Sequence, residues 1–394
     1  MLSLCYFVKM IKQESKYKVT PITTFQHFAK LSDQWNALLN NHLPQSFFLS
    51  HDWFSLWLHH FGNEINPLIL LIHEHNRLVA IAPFIVTTSQ VYLTKLRTIQ
   101  LMGNAYSPVK TFVFDNVPEN KRQAILSAIL SFLFATFRRW DVLQLQPLVD
   151  SDVAVHSIMS LLNTNHYKHR IRQLPPSWSL TGINCTGEQY FMNLPKKITH
   201  ELQRRRRNLE KLGKLSFEIV TGLEQIDQHV DKYYDVYARS WKQKENIGPT
   251  FHRDLAKLAA QKGYLRLAFL CLDSFPIATQ FRIVSNEACF FLKTAYDTKY
   301  RKYSPGLILL AHTIEYFLDI DNVRMIDFGP GNEPYKKNWA SQQIACKDVL
   351  IFNSNAKGRL IEFVLSGFLP LLKRNKKLIL IKDMLYNKYF SAIS

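Results

Sequence analysis

The chain has 394 residues, of which 47% are hydrophobic and 13% aromatic, and its formal net charge is +18 at pH 7. This hydrophobic content excludes a disordered chain, and the length suits two folded domains. The charge leaves three kinds of partner open: nucleic acid, an anionic membrane surface, or an anionic cofactor and substrate.

Cysteines and apolar segments bear on the compartment. The five cysteines are scattered and never form a CxxC pair, which argues against a disulfide framework or a zinc cluster. No run approaches the roughly 18 to 20 apolar residues that a spanning helix needs. Basic residues follow the apolar stretch 1–8 instead of preceding it, the reverse of a secretory signal. We expect a cytoplasmic protein, with peripheral contact to the inner face of a membrane left open.

The first half of the chain shows a helical pattern followed by strand patterns. Large apolar residues recur every three or four positions between 21 and 61, which predicts helix. The polar tip 74–77 between two apolar runs predicts a β-hairpin. The predicted elements of this half are a helical region at 21–61, strands at 67–72, 78–86, 95–101 and 111–114, a helix at 119–138 and a strand at 142–145.

A break separates this half from a second round of the same order. Prolines and glycines punctuate 170–197, as in a linker, and a strongly basic helix is predicted at 196–214. We expect 349–352 to close the second sheet. The other predicted elements of this half are strands at 217–220, 265–272, 277–284, 288–295 and 323–328, and helices at 224–242, 251–261 and 306–318.

The repeated order predicts an α+β fold, a mixed α/β sheet, built twice. The C-terminal tail is apolar and then basic at 373–377, which suits either a helix packed on the domain or one on an anionic membrane. The predicted division is an N-terminal domain at 20–172, a linker with the basic helix at 173–215, a catalytic domain at 216–355 and a helical tail at 356–394.

The first motif with a chemical role is Ser304-Pro305-Gly306, which follows a basic turn and opens an apolar helix. Backbone N–H groups and the dipole at a helix start attract anions. Ser304 suits the N-cap and Pro305 the first helical position, while Gly306 would let a diphosphate approach the backbone. The alternative is an ordinary capped helix without a ligand.

The second motif is the loop 327–337, which directly follows a predicted strand. Two glycines and two prolines shape it. Asp327, Glu333 and Tyr335 can take a proton from an amine or return one to a leaving thiolate. The alternative is a tight turn with a salt-bridged rim.

Four segments resemble one known family. They are YRKYSPGLILL at 300–310, IDFGPGNEPYKKNW at 326–339, SFFLSHDWFSLWLHHFG at 46–62 and YYDVYARSWK at 233–242. They resemble the GNAT-fold acetyltransferases associated with cellulose biosynthesis, relatives of the Fem-type aminoacyl transferases that pair two GNAT modules. The resemblance runs from about residue 20 to about residue 355.

This resemblance implies tandem GNAT-like acyl-CoA N-acyltransferase domains, the first degenerate and the second catalytic. The implied co-substrate is acetyl-CoA or another acyl-CoA, and no metal is expected. The usual phosphate loop of such enzymes is richer in glycine, and here only Gly306 remains. The site residues that follow are Arg301, Tyr303, Ser304, Pro305 and Gly306 for the CoA phosphates, Asp327, Tyr335 and Glu333 for catalysis, and Arg239, Trp241, Tyr296 and Lys336 for the acceptor.

The acceptor and the donor stay open. The acceptor is expected to be an amine on a small molecule or a saccharide, in polysaccharide or envelope metabolism. In a second hypothesis the donor is aminoacyl-tRNA, gripped by the arginine run 204–207; otherwise that run is a solvated helix or a wall for an anionic acceptor. In a third, the chain is a non-enzymatic module that binds anionic polysaccharide or lipid. The sequence does not determine the oligomeric state.

Overall fold

The computed structural model describes residues 16–41, 46–91, 94–242 and 247–368. The chain divides into two compact units: unit 1 takes Met1–Leu174 and Cys346–Ser394, and unit 2 takes Pro175–Ala345. The apolar stretch 1–8 and the basic run 373–377 of the sequence analysis lie outside the described residues. In the described part of the chain, no helix is both long enough and apolar enough to cross a membrane.

Unit 1 has a mixed sheet with the strand order β1-β2-β3-β4-β6-β13, and β5 pairs with β3. The strands are antiparallel except for β4 and β6, which are parallel. The described elements are β1 (Tyr17–Ile22), α1 (Phe25–Ala29), α2 (Ser32–Asn41), α3 (His51–Phe61), β2 (Asn66–Glu74), β3 (Arg77–Val91), β4 (Thr94–Leu101), β5 (Val113–Phe114), α4 (Glu119–Phe132), β6 (Val142–Val149), α5 (Val153–Thr164), the first half of β7 (His169–Thr181), most of β13 (Gln342–Phe352) and α12 (Ala356–Glu362).

Unit 2 repeats this architecture with the strand order β7-β12-β11-β10-β9-β8. Here β11 and β12 are the parallel pair, in the place that β4 and β6 hold in unit 1. The described elements are the second half of β7, α6 (Gly187–Asn193), α7 (Lys196–Glu210), β8 (Leu215–Val220), α8 (Ile226–Ala238), α9 (Pro249–Gln261), β9 (Leu265–Leu272), β10 (Phe275–Ser285), β11 (Ala288–Tyr296), α10 (Pro305–Asp319), β12 (Met325–Pro330) and α11 (Lys336–Trp339).

Helix α10 packs into the centre of unit 2. Its apolar sequence buries residues on two faces: Ile308 and Leu309 pack with β9 and β10, while Ile314 and Phe317 pack with β12 and α6. Burial of a side chain of this size contributes roughly 1.5–3 kcal/mol. The helix is therefore a rigid base for the turn that precedes it.

Three sequence predictions differ from the structure. The region 21–61 is not one helical stretch but three helices, α1 to α3, and strand β1 comes before them. The segment 170–197 contains the boundary between the two units but is not irregular: β7 runs through Pro175 and Pro176, which keep their carbonyl groups as acceptors, and Gly331 N–H donates to the Pro176 carbonyl at 3.1 Å. The basic helix is present as α7 and belongs to unit 2.

The third difference concerns the last strand. Residues 349–352 do not close the sheet of unit 2 but pair antiparallel with 142–145 of unit 1. All four are at most 2% exposed. The sequence of a buried apolar strand does not specify which strand it pairs with, because any free sheet edge offers the same backbone hydrogen bonds.

Candidate active site

Strands β11 and β12 open a wedge in the sheet of unit 2. They pair in parallel at three positions, from Ala288 opposite Met325 to Phe290 opposite Asp327. Beyond them β11 stays paired with β10 as far as Tyr296, while β12 stays paired with β7. The two strands therefore part towards their C-terminal ends, which is where open α/β sheets bind ligands.

A β-bulge in β11 lies beside the point where the strands part. Phe281 and Arg282 of β10 are opposite Lys293 and Phe291, so Leu292 is an extra residue in β11. A bulge bends its strand and increases the local twist. The bulge therefore accounts for the separation of β11 from β12.

A tight turn joins β11 to α10. Asp297 accepts a hydrogen bond from the Lys299 N–H at 2.9 Å and begins the 3₁₀ turn Thr298–Tyr303. Ser304 follows in the left-handed region with φ 51°, and Pro305 is the first residue of α10. The turn thus ends at a helix N-terminus, where the helix dipole attracts anions.

Arg205 of the basic helix α7 holds this turn, a contact that the sequence analysis missed. Its Nη1 donates to the Ser304 hydroxyl at 2.6 Å and to the Lys302 carbonyl at 3.1 Å, and its Nη2 pairs with Glu201 at 2.5 Å. The Ser304 side chain therefore accepts from Arg205 and does not cap the helix. The run 204–207 predicts a concentration of positive charge. No sequence pattern indicates that one of its arginines contacts the turn at 298–304, about 100 residues later in the chain.

Three of the predicted residues lie together beside the turn. A Cβ at Gly306 would be 3.1 Å from Cδ1 of Tyr296, so the glycine permits this close contact. The Tyr296 ring lies 4.4 Å from the ring of Trp241, which is 54% exposed. The turn is thus bordered by an aromatic pair that presents an apolar surface to solvent.

Arg239 is engaged with the turn. Its Nε lies 3.0 Å from Oδ2 of Asp297, and its Nη2 donates to the Pro276 carbonyl at 2.7 Å. Its own carbonyl accepts the Thr298 N–H at 3.1 Å. Arg239 therefore fixes the start of the turn, and its predicted contact with an acceptor stays a prediction.

The remaining two phosphate candidates belong to the turn itself. Arg301 is exposed, and its carbonyl accepts the Ser304 N–H at 3.1 Å. Tyr303 packs against the core of β9 and β10, with the Lys302 ammonium 4.9 Å from its ring. Their contacts with phosphate stay predictions.

Asp327 shapes the loop at the end of β12. Its Oδ1 accepts the Gly329 N–H at 2.7 Å and the Ser177 hydroxyl at 3.1 Å, while in the described part of the chain Oδ2 has no hydrogen-bond partner. Burial raises the pKa of Asp327, although these two bonds and the charge of Lys336 oppose the rise. A carboxylate with a raised pKa is a better general base.

Lys336 closes the same loop from inside. Its side chain is 5% exposed, and its ammonium group lies 3.0 Å from Oε2 of Glu333. It also donates to the carbonyl groups of Gly329 at 3.2 Å and Pro330 at 2.8 Å. These bonds occupy all three ammonium donors, so Lys336 stabilises the loop. The predicted roles of Lys336 at an acceptor and of the exposed Glu333 in catalysis stay predictions.

Tyr335 stands between this loop and the core of unit 2. Its ring is partly buried against the cluster around Trp339. Burial is the main cause of its raised pKa, which the charge of Arg282 lowers and that of Glu333 raises. The hydroxyl is therefore protonated at neutral pH and can donate a proton.

Two basic residues outside the predicted set, Arg282 and Lys242, contribute charge near Tyr335 and Glu333. Arg282 is 1% exposed, and burial lowers its pKa to about 10. Burial lowers the pKa of Lys242 to about 8, and the charges of Lys293 and Arg282 add to the effect. Arg282 had a sequence signal, since it is a lone charge in the apolar run 277–284.

Comparison with known protein families gives a match in the second half of the chain. Residues 196–337 match the family model described as an acetyltransferase (GNAT) domain. A search of the curated proteins finds no match. The matched segment begins with α7 and ends at the loop after β12, so it contains every candidate site residue.

Solved structures resemble most of the chain. The crystal structure of FemX is 11% identical, with a TM-score of 0.59, and the match covers 88% of this chain and 100% of FemX. The C-terminal domain of a putative lysylphosphatidylglycerol synthetase from Agrobacterium fabrum is 9% identical with a TM-score of 0.51 (86% and 96% covered). A tandem GNAT protein of the clavulanic acid biosynthesis pathway is 11% identical with a TM-score of 0.50 (84% and 98% covered). The predicted α+β fold with tandem GNAT-like domains is confirmed.

Proposed function

We propose that unit 2 is an N-acyltransferase that takes an acyl group from an acyl-CoA, such as acetyl-CoA, and passes it to an amine. One observation carries the proposal: strand β11 parts from β12 and leads through a basic turn into the N-terminus of α10. This arrangement offers a slot for an extended chain and an anion site at its end. The match to an acetyltransferase domain supports the same reading.

The turn fits the diphosphate of CoA. Gly306 carries the first N–H group of α10 and has no side chain to cover it, and Arg205 and Arg301 supply positive charge from two elements. The exposed ring of Trp241 borders the turn and can pack on an apolar part of the donor. The residues that surround the turn are thus chemically suited to the group that the fold implies.

Tyr335 and Asp327 can handle the protons of the transfer. The amine nitrogen forms a bond to the thioester carbonyl carbon, and the carbon–sulfur bond breaks. Oδ2 of Asp327 accepts the proton that the amine loses. The Tyr335 hydroxyl gives a proton to the leaving thiolate. Exchange with solvent then restores both groups. The donor is already activated, so alignment of the reactants supplies the rest.

Hydrogen exchange with and without acetyl-CoA tests the proposal. We expect protection within 295–340, where the turn and the loop lie, and unchanged exchange in the hairpin Asn66–Val91 of unit 1 as the internal control. A folded protein that shows no protection by acetyl-CoA or longer acyl-CoA would overturn it.

A second candidate donor is aminoacyl-tRNA. Arg205 docks α7 at the turn, and the neighbouring Arg204 and Arg206 have side chains that are 67% and 54% exposed. The positive charge therefore extends beyond the turn along a helix. The Fem-type resemblance of the sequence favours the same donor.

Binding at several salt concentrations separates the two donors. An aminoacylated tRNA should bind with an affinity that falls steeply as salt is added. The variant Arg204→Gln should reduce the slope of log affinity against log salt concentration by about one. Acetyl-CoA binding should change little in that variant, since among the described residues Arg204 pairs only with Glu201 of its own helix, at 3.9 Å. An affinity for aminoacylated tRNA no higher than that for an unrelated polyanion such as heparin would remove this candidate.

The acceptor is proposed to be an amine of a small molecule or a saccharide. A place in polysaccharide or envelope metabolism rests on the resemblance of the segments 300–310 and 326–339 to acetyltransferases associated with cellulose biosynthesis.

A further inference from the structure

One end of the unit 1 sheet is formed by the start of β4, the start of β6 and the end of β13. Hydrogen bonds join these segments: the Asp141 N–H donates to the Arg97 carbonyl at 2.8 Å, and the Asn353 N–H donates to the Asp141 carbonyl at 3.0 Å. The side chain of Asn355, the N-cap of α12, donates to the Trp140 carbonyl at 2.8 Å. The three segments and the first turn of α12 therefore form one continuous surface, the α12 surface.

Positive charge is concentrated on the α12 surface. Lys357 of α12 donates to the Lys95 carbonyl at 3.0 Å, which brings two cations together. The exposed basic residues are Lys95, Arg138, Arg139, Lys357 and Arg359. In the described part of the chain none of them forms an ion pair. The acids of the same segments are Asp141, which is 0% exposed and lies 3.6 Å from the Arg97 guanidinium, and the half-buried Glu362. The exposed charge is therefore almost entirely positive.

Helix α12 also presents two large apolar side chains to solvent. Leu360 is 57% exposed, and Phe363, which follows the last residue of the helix, is 62% exposed. Residues three apart lie on the same face of a helix. Ile361 and Leu365 are 6% and 0% exposed, so they anchor the helix in unit 1 by its other face. Leu360 and Phe363 therefore add little to the core, and they lie beside the cations Lys357 and Arg359.

This combination of groups suits an anionic lipid surface. Basic side chains attract anionic headgroups, and apolar side chains enter the boundary between headgroups and acyl chains. A nucleic acid or an anionic polysaccharide would pair with the cations but would offer Leu360 and Phe363 no apolar phase. The sequence that follows, 369–394, has a similar composition, with apolar residues on both sides of the basic run 373–377. The chemistry of the α12 surface thus favours lipid over other polyanions.

We propose that the α12 surface docks the protein on a membrane that contains anionic lipid. The contact is peripheral: Leu360 and Phe363 enter the interface, and the neighbouring cations contact headgroups. The inference concerns unit 1 and does not depend on the transfer proposed for unit 2. Failure of one proposal would therefore leave the other standing.

Sedimentation of the full chain with lipid vesicles tests the inference. We expect binding to vesicles of phosphatidylglycerol and phosphatidylcholine in equal amounts. Binding to pure phosphatidylcholine should be at least about tenfold weaker, since each cation near an anionic surface contributes about fivefold. Sodium chloride should weaken the binding, because salt screens exposed charges. A native chain that sediments with neither vesicle would overturn the inference, and packing of 369–394 on α12 would then be the alternative.

Substitution of the two apolar side chains separates lipid from other polyanions. The double variant Leu360→Ser, Phe363→Ser should bind anionic vesicles at least about tenfold more weakly, because two apolar side chains no longer leave water. Both positions are exposed, so the variant should fold like the native chain. Ile320→Ser is the matched control, since Ile320 is 61% exposed and lies in unit 2. Equal binding by the native chain and the double variant would make the contact purely ionic and overturn the inference.

Single charge substitutions locate the contact on the chain. Arg139→Gln and Arg359→Gln should each weaken binding to anionic vesicles about fivefold. Arg324→Gln removes the same charge from unit 2, where the side chain is 67% exposed and lies 3.1 Å from Glu287, and it should change binding little. Equal losses in all three variants would show that net charge governs binding, and would overturn the assignment to the α12 surface.

Discussion

The hydroxyl group of Tyr335 is the proposed proton donor to the leaving thiolate. Its raised pKa keeps the proton on the oxygen at neutral pH, as a donor to a leaving thiolate requires. We expect Tyr335→Phe to lower kcat by about 10²–10⁴ with little change in the Kd for acetyl-CoA. Steady-state kinetics and calorimetry measure both. Tyr316→Phe in α10 is the matched control, and an equal loss in the two variants would contradict the role.

Lys242 should give the reaction a pH dependence in acceptor binding. Its pKa is lowered to about 8, by burial first, then by Lys293 and Arg282, and also by Lys336, while Glu333 raises it. The ammonium is therefore charged below about pH 8 and neutral above it. Since an ammonium attracts an anion and a neutral amine does not, we expect the KM for an anionic substrate to rise as the pH passes 8.

The variant Lys242→Arg separates this effect from others. Arginine keeps its charge beyond pH 12, so the rise in KM above pH 8 should vanish while that for a neutral amine stays flat in both proteins. A rise that persists unchanged in Lys242→Arg would show that another group titrates.

Sequence alone could identify the candidate site residues that lie in an unusual local sequence. The loop with Asp327 and Tyr335 carried glycines, prolines and acids together, and the turn at Ser304 carried a helix-start signature. Lys242 had no such signal, since one lysine after Trp241 resembles any surface lysine. Its altered pKa arises from burial and from partners 40 to 94 residues away along the chain, which no local pattern encodes.

At the scale of elements, helix α7 and the turn before α10 depend on one arginine. Arg205 bonds both Ser304 and Lys302, and a hydrogen bond to a charged group contributes about 1.5–3 kcal/mol. We expect Arg205→Gln to weaken acetyl-CoA binding by about tenfold, measured by calorimetry, because the turn loses both its clamp and a positive charge.

Arg207→Gln is the matched control for this helix. Arg207 is exposed and bonds only the Gln203 carbonyl of its own helix, at 3.4 Å, among the described residues. Acetyl-CoA should bind this variant as it binds the native chain. If both variants lose affinity alike, general charge and not the clamp governs binding.

Elements were predictable where their signals were local. The hairpin of β9 and β10 has a polar tip between two apolar runs, and the helix at 306–318 has a start signal and a long apolar period; both are present. Strand β7 was not predictable, since its two prolines are typical of loops. It tolerates them because their carbonyl groups still accept hydrogen bonds, as Pro176 does from Gly331.

At the scale of the whole molecule, the stability of unit 2 should depend on the core around α10. Phe317 is 0% exposed and packs in the cluster with Ile314 and Ile326. Phe317→Ala should lower the free energy of unfolding by about 3–5 kcal/mol, through lost burial and a cavity. Leu223→Ala, at a side chain that is 47% exposed, should change it by less than about 0.5 kcal/mol. Urea denaturation followed by circular dichroism measures the two variants, and similar values would refute a central core here.

The return of the chain to unit 1 has a consequence for its synthesis. A ribosome delivers residues in order, and domains generally fold as their sequence emerges, the N-terminal one first. Here residues 142–145 lack their antiparallel partners at 349–352 until the ribosome has synthesised all of unit 2. The half of the protein that is begun first is therefore completed last, and during translation it exposes an apolar strand edge that a chaperone could shield.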